Sequence, residues 1–326
     1  MMKALFSLSE VEAALPVVRA VVPPTPQFAW PQLAAATGAE VVVKHENHTP
    51  TGAFKVRGGL VYADRLKRAR PDVVGIVSAT RGNHGQSLAL AGRRAGLSVL
   101  IVVPYGNSVE KNAAMRGFGA ELVEFGSDFD EAKEHAARLA EDRGYAFVPS
   151  FDRDLVIGVA TYAYEFLTAV ADLDTVYVPI GLGSGICGMI GVRDALKLST
   201  RIVGVVAQNA NAYALSVAAG KVVPTNAART FADTLAVRVP DETALAVIRH
   251  GADRIVEVAE DEIAEAIRLY FRATHTLAEG AAAAPLAALM KERDRMRGRR
   301  VGLVVTGQNI DTPVMAKVLA GETPAG

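Results

Sequence analysis

From Val73 onward, short β-branched runs alternate with longer stretches whose apolar positions recur at helical spacing. Val73–Ser78, Leu97–Pro104, Ala120–Phe125 and Tyr145–Ser150 predict strands. Between them, Asn83–Ala95, Ser108–Gly117 and Phe129–Arg143 predict helices. Gly96 ends the first; Ser127 or Asp128 caps the third and Gly144 stops it. Strands and helices in this alternation predict a parallel sheet wrapped by helices. A second series follows: helix Leu155–Ala171, strand Thr175–Ile180, helix Ile186–Leu198 and strand Arg201–Ala207. It continues with strand Arg254–Glu260, helix Asp261–Ala273, a helix through Ala281–Met296, strand Val301–Gly307 and a helix near Pro313–Leu319. The strand near Glu40–Lys44 has no partner close in sequence and is expected to join this second sheet. The fold class is therefore α/β with two lobes. The expected division is a small domain, 73–151, inserted into a large one built from 1–72 and 152–326.

A chain of 326 residues exceeds the size at which single cores stop growing, roughly 250–300 residues, which agrees with two lobes. Lys+Arg and Asp+Glu are both 35, so the chain lacks the cationic surplus that nucleic acid or an anionic membrane requires. A single cysteine excludes a disulfide framework and a multi-cysteine zinc site. The longest apolar runs, such as Leu97–Pro104, are too short to span a bilayer. The first residues carry charge inside their apolar part and show no clear cleavage site, so a cytoplasmic protein is expected.

Parallel sheets bind ligands where strands run into helix N-termini. After Thr175–Ile180 comes Gly181-Leu182-Gly183-Ser184-Gly185, whose backbone N–H groups can converge on one phosphate. A turn that merely packs strand on helix is the plain alternative. A dinucleotide fits less well: the next strand ends Val206-Ala207-Gln208, without the carboxylate that would take a ribose. In Lys44–Gly59 the turn formers Asn47, Pro50, Thr51 and Gly52 precede Phe54 and Lys55. A lysine at a helix start should have a depressed pKa, which suits Schiff-base chemistry. Taken locally, a solvated surface lysine is the simpler reading. The loop Ser78–Ser87 gathers Thr80, Arg81, Gly82, Asn83 and His84 at a strand end. Helix capping and the binding of a carboxylate stand level there. Thr306, at the tip of the last strand, reads first as a cap for the helix that follows.

Together these segments resemble the fold-type II pyridoxal-phosphate-dependent enzymes, and most closely their threonine/serine dehydratase and serine racemase branch. PTGAFKVRG (Pro50–Gly58) is similar to that family's P-T-G-[SA]-F-K-x-R-G, and TRGNHGQ (Thr80–Gln86) to its S-x-G-N-H-G-Q loop. GLGSG stands at the tetraglycine phosphate cradle, and Thr306-Gly307-Gln308-Asn309 at S-G-G-N. Phe129–Ala132, Thr230–Asp233 and Glu279–Ala281 also resemble family stretches. The resemblance spans Thr25 to Asp311 and implies a tryptophan synthase beta-like fold. It implies pyridoxal 5'-phosphate as cofactor, with Lys55 as Schiff-base lysine and α-proton base. Phe54, Asn83, residues 181–185, Glu279 and Thr306 would contact the cofactor, and residues 80–84 an amino-acid substrate. A homodimer or homotetramer is expected.

Several positions depart from the family pattern. Leu182 and Ser184 replace two cradle glycines, and Thr234 stands where many relatives have glycine. Arg81 replaces the second serine of the racemase loop, which is that family's acid/base on the opposite face. Val206, Gln208 and Asn211 occupy the family's cation position without a carboxylate, so no metal is expected. His45 and His48 lack an evident third ligand, and Cys187 reads as buried and inert. No regulatory domain is expected after Asp311. The expected activity is elimination from a β-hydroxy amino acid such as threonine or serine, giving a 2-oxo acid and ammonia. The alternatives are an amino-acid racemase and a β-replacement enzyme. A cofactor-free binding module and a nucleotide-dependent oxidoreductase are the outsiders.

Overall fold

The computed structural model describes residues 4–326. The chain begins with α1 (Leu8–Arg19), β1 (Gln27–Ala29), α2 (Pro31–Thr37), β2 (Glu40–His45) and α3 (Lys55–Ala69). It then runs through β3 (Gly75–Ala79), α4 (Asn83–Arg94), β4 (Ser98–Val103), α5 (Val109–Gly117), β5 (Glu121–Glu124), α6 (Phe129–Arg143) and β6 (Ala146–Phe147). Next come α7 (Arg153–Ala169), β7 (Thr175–Pro179), α8 (Ser184–Ala195), β8 (Arg201–Ala207), α9 (Ala212–Ala219) and α10 (Glu242–Gly251). The remainder is β9 (Arg254–Val258), α11 (Glu260–Thr274), α12 (Gly280–Lys291), α13 (Arg293–Met296), β10 (Arg300–Val305) and α14 (Thr312–Leu319).

Two sheets form, a six-stranded one in the order β1-β2-β10-β7-β8-β9 and a four-stranded one in the order β5-β4-β3-β6. All pairings are parallel except β1 with β2. The strand near Glu40 finds its parallel neighbour far along the chain, with Glu40–His45 in register against Arg300–Val305.

The central strands are apolar on both faces because both faces are covered. Val42, Val176, Val178 and Val304 point into a core shared with α3, α7 and α8. Their neighbours Val41, Val43, Tyr177, Leu303 and Val305 point into a second core under α11 and α12. In the smaller sheet, Ile76, Val99 and Ile101 meet α4, while Val77, Leu100 and Val102 meet the alanines of α6. The two chain segments that lead into and out of the smaller sheet, α3 and α7, cross in close contact. A Cβ on Gly158 would lie 2.3 Å from the Arg57 carbonyl oxygen, and one on Gly58 would lie 2.7 Å from that of Leu155.

Some expectations need correction. The strand expected over Tyr145–Ser150 narrows to the two residues of β6. The helix expected through Ala281–Met296 breaks at Glu292, whose carboxylate leaves the helix face to accept from Tyr177 Oη and Arg254. Helices α1, α2, α9 and α10 were not anticipated from the pattern. In α1 a capping box between Ser7 and Glu10 sets the start.

Candidate active site

The segment between β2 and α3 is drawn tight against the tip of β10. Phe54 N donates to the Thr306 carbonyl at 2.9 Å, and Gln308 N donates to that of Gly52 at 2.9 Å. Gly52 has φ +66°, a conformation glycine adopts without strain. Beneath the start of α3 lies a buried network of two cations and two anions. Arg57 Nε donates to Glu46 Oε2 at 2.7 Å and its Nη2 to Glu165 Oε2 at 2.8 Å; Lys44 Nζ donates to Glu165 at 3.1 Å. Thr25 Oγ1 adds a bond to Glu46 at 2.6 Å. Burial would raise the Glu165 carboxyl, but Arg57 and Lys44 outweigh it and hold it low. This network fixes the turn of helix that carries Lys55.

Lys55 Nζ donates to Ser184 Oγ at 3.0 Å and lies 5.6 Å from the centroid of the Phe54 ring. Its pKa is lowered to about 8. The helix-start argument gives the same direction, but the cause here is burial, which disfavours the ammonium.

Opposite Lys55, residues 181–185 join β7 to α8. Gly183 is the N-cap, with φ +102°, and a Cβ there would lie 2.7 Å from Ala244 Cβ. The first N–H groups of α8 have no partner within the helix and point out of its N-terminus, a setting for an anion. Leu182 fits between the glycines because its φ is not positive: among the described residues the non-glycine positions with positive φ are Asp172, Lys197 and His275. Its carbonyl accepts from Tyr213 Oη at 2.9 Å. Gly181 lies under the Thr234 carbonyl, which a Cβ would approach to 2.6 Å, so the residue at 234 presents backbone to the loop.

Asn83, the first residue of α4, is held at both ends of its amide. Its Nδ2 donates to Glu279 Oε1 and Oε2 at 2.9 and 3.0 Å, and Asn309 Nδ2 donates to its Oδ1 at 2.7 Å. Burial pushes the Glu279 carboxyl up to about 7; Lys111 and Asn83 oppose this and Asp233 adds to it. Thr80 Oγ1 accepts from Gly82 N at 3.1 Å, which closes the loop on itself. His84 is buried with its Nε2 unpartnered, and its pKa is pushed down to about 3 by burial and then by Lys55, so the ring is neutral. Arg81 differs from the rest of the loop in being exposed.

One cleft of about 860 Å³ is lined by Phe54, Lys55, residues 80–84, residues 181–185, Glu279 and Thr306. Every residue selected from sequence for cofactor or substrate thus borders the same space. Sequence reasoning missed Lys111, which is buried beneath Gly82 and pairs with Asp233, and Arg238, which pairs with Asp130 where both line the cleft. Of the residues read from sequence as offering no carboxylate to a cation, Val206 is buried in the sheet and Asn211 Nδ2 donates to Glu257 Oε2 at 3.0 Å, so β9 brings a carboxylate beside Asn211 that the sequence reading did not foresee. Among the described residues no group of three His, Cys, Asp or Glu side chains could hold a metal. His45 packs as part of an aromatic cluster and its Nε2 accepts from Trp30 Nε1 at 3.1 Å. Burial pushes the Cys187 thiol upward, away from the thiolate. No helix among the described residues is long and apolar enough to cross a membrane.

The family described as pyridoxal-phosphate dependent enzyme matches residues 18–307. The L-threonine ammonia-lyase of Thermotoga maritima is 31% identical, over 97% of this chain and 78% of its own. The L-threo-3-hydroxyaspartate ammonia-lyase of a Pseudomonas species is 32% identical, over 91% of this chain and 93% of its own. A solved pyridoxal 5'-phosphate-dependent aspartate racemase superposes with a TM-score of 0.91 at 27% identity, covering 97% of this chain and 99% of that one.

Proposed function

The chain belongs to the pyridoxal-phosphate-dependent enzyme family, and from that premise we propose that it is a dehydratase of β-hydroxy amino acids. The residues present fit the cofactor: an amine on the floor of the cleft, and facing it a glycine loop in which a Cβ at 183 would clash. When bound, pyridoxal 5'-phosphate supplies the electron sink that lets an α-C–H and a β-C–O bond break.

The protein's residues do the rest. Lys55, with its pKa lowered from 10.5 to about 8, is about one-tenth neutral at pH 7, far more than an ordinary lysine. It can hold the cofactor through its amine and, once displaced by substrate, accept the α-proton on Nζ. The N–H groups of residues 181–185 would take the phosphate, and Asn83, clamped by Glu279 and Asn309, would present a fixed amide to the ring. Thr306 offers an uncharged hydroxyl. The start of α4 takes the α-carboxylate. Overall, the β-hydroxy amino acid becomes a 2-oxo acid and ammonia; the water lost in the elimination returns in the hydrolysis, and no oxidant is needed.

The observation that carries this reading is the 3.0 Å contact between Lys55 Nζ and Ser184 Oγ, which aims the amine at the glycine loop. Racemisation is the second reading, and Arg81 weighs against it: where the racemase loop has a serine, this chain has a guanidinium, which gives up a proton poorly. We further propose a cytoplasmic homodimer or homotetramer, with 73–151 forming a small domain between 1–72 and 152–326. The test is the purified protein's absorbance near the visible edge, together with 2-oxo acid release from L-threonine or L-serine. Lys55→Ala should abolish both and leave the fold intact. A Lys55→Ala protein with normal turnover would overturn the proposal.

A further inference from the structure

Most charges that line the cleft are already committed. Lys55 donates to Ser184, and Arg238 pairs with Asp130 and lies 3.5 Å from Asp128. Asp128 also caps α6 by accepting from Asp130 N and Glu131 N at 3.0 Å. Asp233 pairs with Lys111, Asp241 accepts from Ala244 N at 2.9 Å, and Glu279 holds Asn83. Arg81 is different. It lines the cleft, is exposed, and forms no ion pair or side-chain hydrogen bond among the described residues; its charge reaches Asp128 only at a distance, as the least of the influences that lower that carboxyl. The other uncommitted lining cation, Lys133, belongs to α6.

Arg81 also sits in an informative place. It lies two residues before Asn83, on the loop that leads into the N-terminus of α4. The backbone of that loop already suffices for one carboxylate. A guanidinium beside it offers a second group for an anion, with the planar donor geometry that matches a carboxylate through two parallel bonds. A methyl or hydrogen at Cβ, as in threonine or serine, would leave this group unused.

We propose that Arg81 makes the enzyme selective for β-hydroxy amino acids that carry a second carboxylate on Cβ. The guanidinium takes this distal group while the loop backbone takes the α-carboxylate. The proposal rests on the dehydratase reading above and names the substrate class for it. The reaction keeps the same balance, the product being a 2-oxo dicarboxylate and ammonia.

The test compares L-threo-3-hydroxyaspartate with L-threonine on the holoenzyme, for wild type, Arg81→Ala and Arg81→Lys. Wild type should prefer the diacid in kcat/KM. Arg81→Ala should raise KM for the diacid by roughly tenfold to a hundredfold, the worth of a charge-assisted pair, and change that for threonine little. Arg81→Lys should recover part of the loss. Calorimetry of succinate against butyrate reports the same anion site without turnover, and the preference for succinate should disappear in Arg81→Ala. Equal losses for both substrates would assign Arg81 to the α-carboxylate and overturn the proposal, as would no loss for either. If no β-hydroxy amino acid yields a 2-oxo acid, the dehydratase reading fails, and the succinate comparison still judges Arg81.

Discussion

Glu279 lies close enough to neutrality for pH to expose it. Its carboxyl is buried and pushed up from 4.5 to about 7, so the folded protein holds this proton where the unfolded chain has lost it. The stability this contributes is fully present below about pH 4.5 and is lost as pH rises through about 7, on the order of 3 kcal/mol at most. Melting temperatures of cofactor-free protein between pH 4.5 and 7.5 should therefore show a decline that Glu279→Gln lacks; parallel curves would show that another group titrates. At this scale the sequence was informative wherever the chemistry is local. Pro50, Thr51, Gly52, Phe54 and Lys55 are neighbours in the chain, and their turn-then-lysine order carries its meaning without tertiary structure. The pair Lys111–Asp233 spans 122 residues and has no local signature, which is why it escaped notice.

Among elements, legibility followed the strength of the stop signals. Helix α6 begins and ends where expected because Asp128 caps it and Gly144 leaves it at φ 63°. Strand β6 was overestimated because its apolar run continues beyond its two paired residues. Two glycines test the packing. Gly183→Val places a β-branched residue at φ +102° and drives its Cβ into Ala244, so it should cost about 1–3 kcal/mol and raise the cofactor dissociation constant more than about tenfold. Titration of the apoenzyme with cofactor checks this; unchanged affinity would place the phosphate elsewhere. Gly158→Ala should cost about 2 kcal/mol or more, because the obstacle is the Arg57 carbonyl, which cannot swing aside as a side chain can. Since Arg57 lies two residues past Lys55, turnover should fall with stability in that variant, and urea denaturation beside steady-state assays would show it.

For the whole molecule, the buried charges and the strand order matter most. Glu165→Ala would leave Arg57 and Lys44 buried against Glu46 alone, at a cost of about 3–5 kcal/mol by denaturant unfolding. A loss below about 1 kcal/mol would mean that water reaches the network. The sheet order has a consequence in time. Strand β10 lies between β2 and β7, yet it leaves the ribosome after every other strand of this sheet. Until residues 300–305 emerge, β1–β2 and β7–β8–β9 are separate ribbons, each with an open apolar edge inviting the wrong neighbour. The lysine turn has no anchor either, because Phe54 N waits for the Thr306 carbonyl. A nascent chain is therefore expected to complete its site only once β10 is in place. A chain cut after Arg299 should aggregate and retain no cofactor, although it contains Lys55, Asn83 and the whole glycine loop.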